Sequence, residues 1–262
     1  MVSLLLISCA GFSQVQIKRK QQQQATEQAA VPQKQLSAEE MYKKGEKEFK
    51  NQNYTSAVGW YRKAAARGDA KAQFKLGKSY CNGWGISEND EEGAKWVRKS
   101  ANQGYPEAQH YLGILYFIGA GVPKDHVEAM KWYRKAAEQG FPEAQFDLAD
   151  HYNSGFGVPK DKVEAVRWYR KAAEQGYVYG QSALGRCYEY GNGVTENKTE
   201  AAKWYRKAAE QGHSPSQFWL GEMYEEGEGV PKDTNEAIRW YRKAAAQDFQ
   251  DAKKALERLG VQ

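Results

Sequence analysis

The residue types that could do chemistry are few in this chain, and they are scattered. Four histidines, His110, His126, His151 and His213, could act as bases or metal ligands, yet no two of them share a local setting. An HExxH metal-binding helix, a Ser-x2-Lys pair and a Gly-x-Ser-x-Gly nucleophile turn are absent, and no Cys/His spacing suits zinc. The glycine pairs Gly83/Gly85, Gly119/Gly121, Gly155/Gly157, Gly191/Gly193 and Gly227/Gly229 could suggest a phosphate loop. They lack the preceding strand and the GK[ST] ending, and five copies mark a backbone turn. With 33 acidic side chains, a pairing such as Asp150 with Glu189 is weak grounds for acid/base work. The inventory therefore gives no catalytic residue, no metal site and no cofactor.

What is regular is the frame. Trp60, Trp96, Trp132, Trp168, Trp204 and Trp240 follow one another at intervals of 36 residues. A period of this length with two helical patterns inside it predicts a solenoid, in which each unit buries its apolar face against its neighbours. Asn89, Asp125, Asp161, Asn197 and Asp233 each stand seven residues before a tryptophan, and Glu92, Glu128, Glu164, Glu200 and Glu236 follow them by three. This is a capping-box pattern that starts each second helix, at roughly 1 kcal/mol per cap. Ala129, Trp132, Tyr133 and Ala136 form an inward apolar stripe. Gly68, Gly104, Gly140, Gly176 and Gly212 close these helices, and Asp248 replaces glycine in the last. First helices carry Ala-x3-Leu-Gly-x2-Tyr, as at Ala72/Leu76/Gly77/Tyr80, with Pro106, Pro142 and Pro215 near their starts.

The N-terminus reads differently. Residues 1–13 hold an apolar run with a small-residue exit, as in a secretory signal, and Leu6-Ile7-Ser8-Cys9 resembles the bacterial lipobox, which would make Cys9 a lipid-modified anchor. Cleavage near Ala10 or Ser13, and a cytoplasmic chain, are the alternatives. The run is too short for a transmembrane span. Residues 14–37, with Lys18 to Lys20 and the Gln21 to Gln24 run, read as a polar flexible spacer. Cys81 and Cys187 lie too far apart in an extended solenoid to form a disulfide. The 38 basic against 33 acidic residues give a mild excess spread along the chain, and with the aromatics turned inward no nucleic-acid partner is expected. The Arg-Lys pairs, such as Arg134-Lys135 and Arg170-Lys171, read as a solvated helix face with local pairs such as Arg134 to Glu138.

Ala-x3-Leu-Gly-x2-Tyr, Gly-x-Gly-Val, Asp-x2-Glu-Ala and Trp-Tyr-Arg-Lys-Ala-Ala-x2-Gly together resemble the Sel-one-like repeat family, a branch of the tetratricopeptide superfamily. The resemblance covers residues 70–250 in five units. Residues 38–69 look like a plain tetratricopeptide unit without the glycine turn, and 251–262 like a capping helix. It implies an all-α fold, a right-handed α/α superhelix of paired antiparallel helices, that binds other proteins in a concave groove. The groove positions it implies are Phe74, Lys78, Cys81, His110, Ile114, Phe117, Phe146, Asp150, Asn153, Ser182, Arg186, Glu189, Phe218, Glu222 and Glu225. Phenylalanines there offer anchors and carboxylates gather toward the C-terminal half, so an extended or helical peptide with apolar and basic residues would fit.

The function expected is a non-enzymatic scaffold of the bacterial periplasm or envelope with a protein or peptide partner. A β-lactam-binding or hydrolysing enzyme, by analogy with cysteine-rich members of the family, and a structural cell-wall spacer are the alternatives. The paired cysteines of those members are missing here. Should Cys9 carry the anchor, Cys9→Ala abolishes incorporation of radiolabelled palmitate; label retained by that variant excludes it.

Overall fold

A computed structural model describes Lys20 and residues 36–261. The signal or lipobox segment 1–13 with Cys9, and nearly all of the spacer, lie outside the described residues. Thirteen α-helices follow one another between 36 and 261, and no strand occurs among the described residues. The first unit pairs α1 (Ala38–Lys50) with α2 (Tyr54–Ala66), and the second pairs α3 (Ala70–Asn82) with α4 (Asp90–Asn102). Then come α5 (Pro106–Ile118) with α6 (His126–Glu138), α7 (Pro142–Ser154) with α8 (Lys162–Glu174), and α9 (Val178–Tyr190) with α10 (Lys198–Glu210). The sixth pair is α11 (Ser214–Glu226) with α12 (Thr234–Ala245), and a lone α13 (Gln250–Arg258) ends the stack. Each helix packs on the one before and the one after, giving a right-handed α/α solenoid.

Local chemistry places the starts of α4, α6, α8, α10 and α12. The side chains of Asn89, Asp125, Asp161, Asn197 and Asp233 accept the backbone N–H three residues on, as the pattern predicts. Among the described residues the reciprocal half of the box closes only at Ser37 and Glu40. At the other five caps the backbone N–H is already donated to a carbonyl of the unit's own first helix, for instance Asp125 N–H to Tyr116 at 2.9 Å and Asp161 N–H to Tyr152 at 2.8 Å. The glutamate is released to bind a cation three residues on, as in Glu128 with Lys131 and Glu236 with Arg239.

Packing between units uses the glycine turn. The first glycine of each pair ends the first helix in the left-handed region, as at Gly119 with φ +80°. The second lies against the start of the preceding unit's second helix: a Cβ on Gly121 would stand 2.0 Å from the Asp90 carbonyl oxygen. Mid-helix glycines serve the pair itself, since a Cβ on Gly113 would meet the Tyr133 ring at 2.7 Å.

The Arg-Lys pairs lie on an exposed or half-exposed face, as expected from the sequence, but their partners are not the local acids. Arg98 and Arg170 donate to the hydroxyls of Tyr116 and Tyr188 in the next unit at 2.7 and 2.8 Å, and Arg134 reaches Tyr152 rather than Glu138. The lysines cover the tryptophan faces, Lys171 on Trp168 at 3.8 Å and Lys243 on Trp240 at 3.8 Å. Such contacts are worth roughly 0.5–1 kcal/mol each at exposed sites.

Gly121→Ala joins a left-handed backbone cost to a backbone overlap and is expected to lose about 2–5 kcal/mol in urea denaturation. Gly104→Ala, whose Cβ would meet nothing within 4 Å, is expected to lose only about 1–2 kcal/mol from its φ of +87°.

Candidate partner-binding groove

The first helices α1, α3, α5, α7, α9 and α11 form one layer, and their side chains touch from unit to unit. Lys75 pairs with Glu46 at 3.1 Å, His110 Nε2 with Asp147 Oδ2 at 2.7 Å, and the Ser216 hydroxyl donates to Ser182 at 3.0 Å. Arg258 of α13 closes the row on Glu225 at 2.7 Å. This layer holds the residues that vary between units.

The sequence-derived groove residues divide into wall and surface. Phe74 is 8% exposed, edge-on to Tyr105 and Tyr111 at 5.6 and 5.9 Å, so it is part of the wall. Lys78 lies over Phe74, Trp84 and Tyr111 with its ammonium 5.4–5.7 Å from each ring, and burial first, then Lys75, lowers its proton affinity. His110 and half-buried Ile114 and Phe117 pack inside the row, Phe117 against His126 and His151 at 4.7 and 5.0 Å. Phe218 rests on Tyr241 and Phe249. Phe146 is half-buried among Tyr169, Tyr177 and Tyr179, and Tyr179 remains 51% exposed.

The acids of the groove are partly used by the frame. Asp150 accepts the Tyr169 hydroxyl at 3.2 Å, Glu189 that of Tyr205 at 2.5 Å, and Glu225 that of Tyr241 at 2.7 Å. Burial, and these carboxylates next to them, push the three phenols far above the usual tyrosine range. Glu222 differs. It is half-buried, makes no ion pair among the described residues, and is pushed up to about 7 by burial and then by Glu226, Glu189 and Glu225. Asn153 and the exposed Arg186 line a cavity at the junction of the fourth and fifth units.

Residues the sequence pattern missed also line this layer: Lys75, Tyr111, Asp147 and Trp219, one slot of the first helix repeated every 36 residues, and Tyr105, Tyr177 and Tyr179 before or at helix starts. The repeated aromatic or charged slot was the available signal. Cys81 and Cys187 are both free thiols, and no group of His, Cys, Asp or Glu able to hold a metal occurs among the described residues.

A stack of antiparallel helix pairs with constant second helices and variable first helices defines the class: an α-helical repeat protein. The Sel1 repeat model matches residues 33–69, 70–105, 106–141, 142–177, 178–213 and 214–249, so the chain belongs to the Sel1 repeat family. The first of these matches falls on the unit that reads as a plain tetratricopeptide repeat. Among solved structures, a protective antigen of uropathogenic Escherichia coli strains displaying an SLR fold is 38% identical with a TM-score of 0.79, over 85% of this chain and 48% of that one. A Sel1 repeat protein from Oxalobacter formigenes is 33% identical with a TM-score of 0.79, over 86% of this chain and 66% of that one. An immunity protein from Pseudomonas aeruginosa shares the fold at 22% identity and a TM-score of 0.51, over 84% of this chain and 85% of that one. The chain thus spans about half and about two thirds of the length of the first two. A search of curated proteins returns no match.

The folded chain holds the Glu222 proton more tightly than the unfolded chain, whose carboxyl titrates near 4.5, so stability is lost as pH rises from about 4.5 toward about 7. Glu222→Gln is therefore expected to melt at a higher temperature than the wild type at pH 8, with the advantage fading by pH 4.

Proposed function

We propose that this chain is a non-enzymatic scaffold that holds a partner protein in the concave layer of its first helices, gripping an extended or helical segment with apolar and basic residues. The observation that carries this reading is the different fate of the two helix layers. On the second helices the repeated Arg and Lys are spent on Tyr hydroxyls and Trp faces of the frame. On the first helices Tyr179, Asp150 and Arg186 are exposed, and Glu222 makes no ion pair among the described residues. Apolar side chains of a partner would lie against Phe146, Tyr177 and Tyr179, and its basic side chains against Asp150, Glu189 and Glu222. The family's helical scaffold commonly serves protein–protein interaction, and this reading gives the scaffold a particular surface.

We place the encounter in the bacterial envelope, reached through residues 1–13 and held there if Cys9 is lipidated. No helix of the described residues is long and apolar enough to cross a membrane.

Selection of displayed random peptides on the purified protein tests the groove. Enriched peptides should combine basic with aromatic or aliphatic residues, and Tyr179→Ser with Glu222→Lys should weaken them at least tenfold, while Lys95→Glu on a second helix leaves them unchanged. Failure to enrich any sequence, or equal loss with Lys95→Glu, favours a spacer without a specific ligand.

A further inference from the structure

A cavity of about 260 Å³ at the junction of the fourth and fifth units brings together Lys160, Lys162 and Arg186 with the amides of Asn153 and Asn192. The three cations come from separate elements: the turn after α7, the first residue of α8, and α9. Lys162 Nζ donates to Asn192 Oδ1 at 2.8 Å, which ties the two units and fixes that ammonium at the rim.

Acids on these elements have partners of their own, although Asp150 and Glu189 keep their charge and act on the same tyrosines as Arg186. Asp161 caps α8 through the N–H groups of Val163 and Glu164, and Glu164 holds Arg167. Asp147 pairs with His110, Asp150 accepts from Tyr169, and Glu189 accepts from Tyr205. Lys160 and Arg186 make no ion pair among the described residues, and burial pushes the lining Cys187 thiol up to about 11, so it adds no negative charge. Three converging like charges repel one another, and an anion between them relieves that repulsion.

The repeat supplies its own comparison. One unit earlier, the positions of Lys160, Lys162 and Arg186 are held by Lys124, His126 and Asp150, and that of Ala183 by Asp147. One unit later they are Glu196, Lys198 and Glu222, and Lys198 is paired with Glu228. The frame is the same at all three junctions, so the concentration of positive charge belongs to this one alone among them.

We propose that this cavity binds a phosphate group, carried by a small molecule or a lipid headgroup. Arg186 offers a planar fork to two oxygens, Lys160 and Lys162 act as point charges, and the asparagine amides supply further donors. A single carboxylate carries too little charge for three cations. The volume lies below the roughly 300–1,000 Å³ of sites that enclose whole ligands, so the cavity takes the group and leaves the remainder outside. The cavity shares Asn153 and Arg186 with the partner-binding layer, but the titration below involves no peptide, so its failure leaves the partner reading untouched.

Calorimetric titration of the full chain with inorganic phosphate, at ionic strength held constant with sodium chloride, should give saturable binding at one site. K160A/R186A should weaken it at least tenfold with unchanged helical circular dichroism, and Lys124→Ala should leave it intact. Should the double variant lose helicity, Arg186→Gln alone serves, with a severalfold loss expected. Displacement of phosphate by phosphatidylglycerol vesicles, but not by phosphatidylcholine vesicles, identifies a headgroup; absence of displacement identifies a free phosphate compound. The proposal is overturned by no saturable binding, by affinity unchanged in the folded variant, or by acetate binding as tightly as phosphate.

Discussion

In four units the tyrosine of the second helix lies where a side chain of the first helix would otherwise stand. A Cβ on Gly45, Gly113, Gly185 or Gly221 would come within 2.5–2.7 Å of the ring carbons of Tyr61, Tyr133, Tyr205 or Tyr241. Glycine inside a helix costs about 1 kcal/mol relative to alanine, and here that cost admits a large aromatic surface between two backbones. The rest of the unit follows from this approach. The ring is buried, its hydroxyl emerges at the first-helix layer, and in three of these units it donates to a carboxylate there: Glu46, Glu189 or Glu225. Wall and ligand surface are thus coupled through one phenol.

Between units, polar contacts repeat as strictly as apolar ones. Buried Gln109, Gln145, Gln181 and Gln217 each donate to a carbonyl of the preceding second helix and accept from the glutamine that ends their own, as in Gln139 to Gln109 at 2.7 Å. A buried amide with its partners supplied contributes about 1 kcal/mol, and one left unpaired would cost more than that. These ladders therefore fix the register of one unit on the next as well as adding stability. Together with the Arg–Tyr and Lys–Trp contacts they consume the side chains that recur, which is why individuality is confined to the first helices and the unit junctions.

Much of this was legible in the residues. The 36-residue period, the Asn or Asp caps and the closing glycines located α3 to α12, because each signal acts within a few residues of chain. Even Asp248, standing where glycine is expected, keeps the left-handed turn with φ +61°. The reciprocal capping boxes stay open for a nonlocal reason: a carbonyl on the first helix, nine residues back, takes the cap N–H. The partner of Arg134 is nonlocal likewise: it meets Tyr152 eighteen residues on instead of Glu138. The buried glutamine ladder is not legible from the sequence although its glutamines recur at the period, because a polar side chain in a helix reads as surface until its partner thirty residues away is known.

The sequence alone determined the repeating unit, its helix boundaries and the layer where variation is concentrated. These depend on capping, helical periodicity and left-handed glycines, all interactions of near neighbours. The tertiary structure decided which varying residues are wall and which are surface: Phe74 is buried by Tyr105 and Tyr111, His110 is held by Asp147, and Glu222 makes no ion pair among the described residues. It also gathered Lys160, Lys162 and Arg186 at one junction. Burial and pairing are properties of residues brought together from adjacent units, some thirty positions apart, and no local pattern encodes their distance.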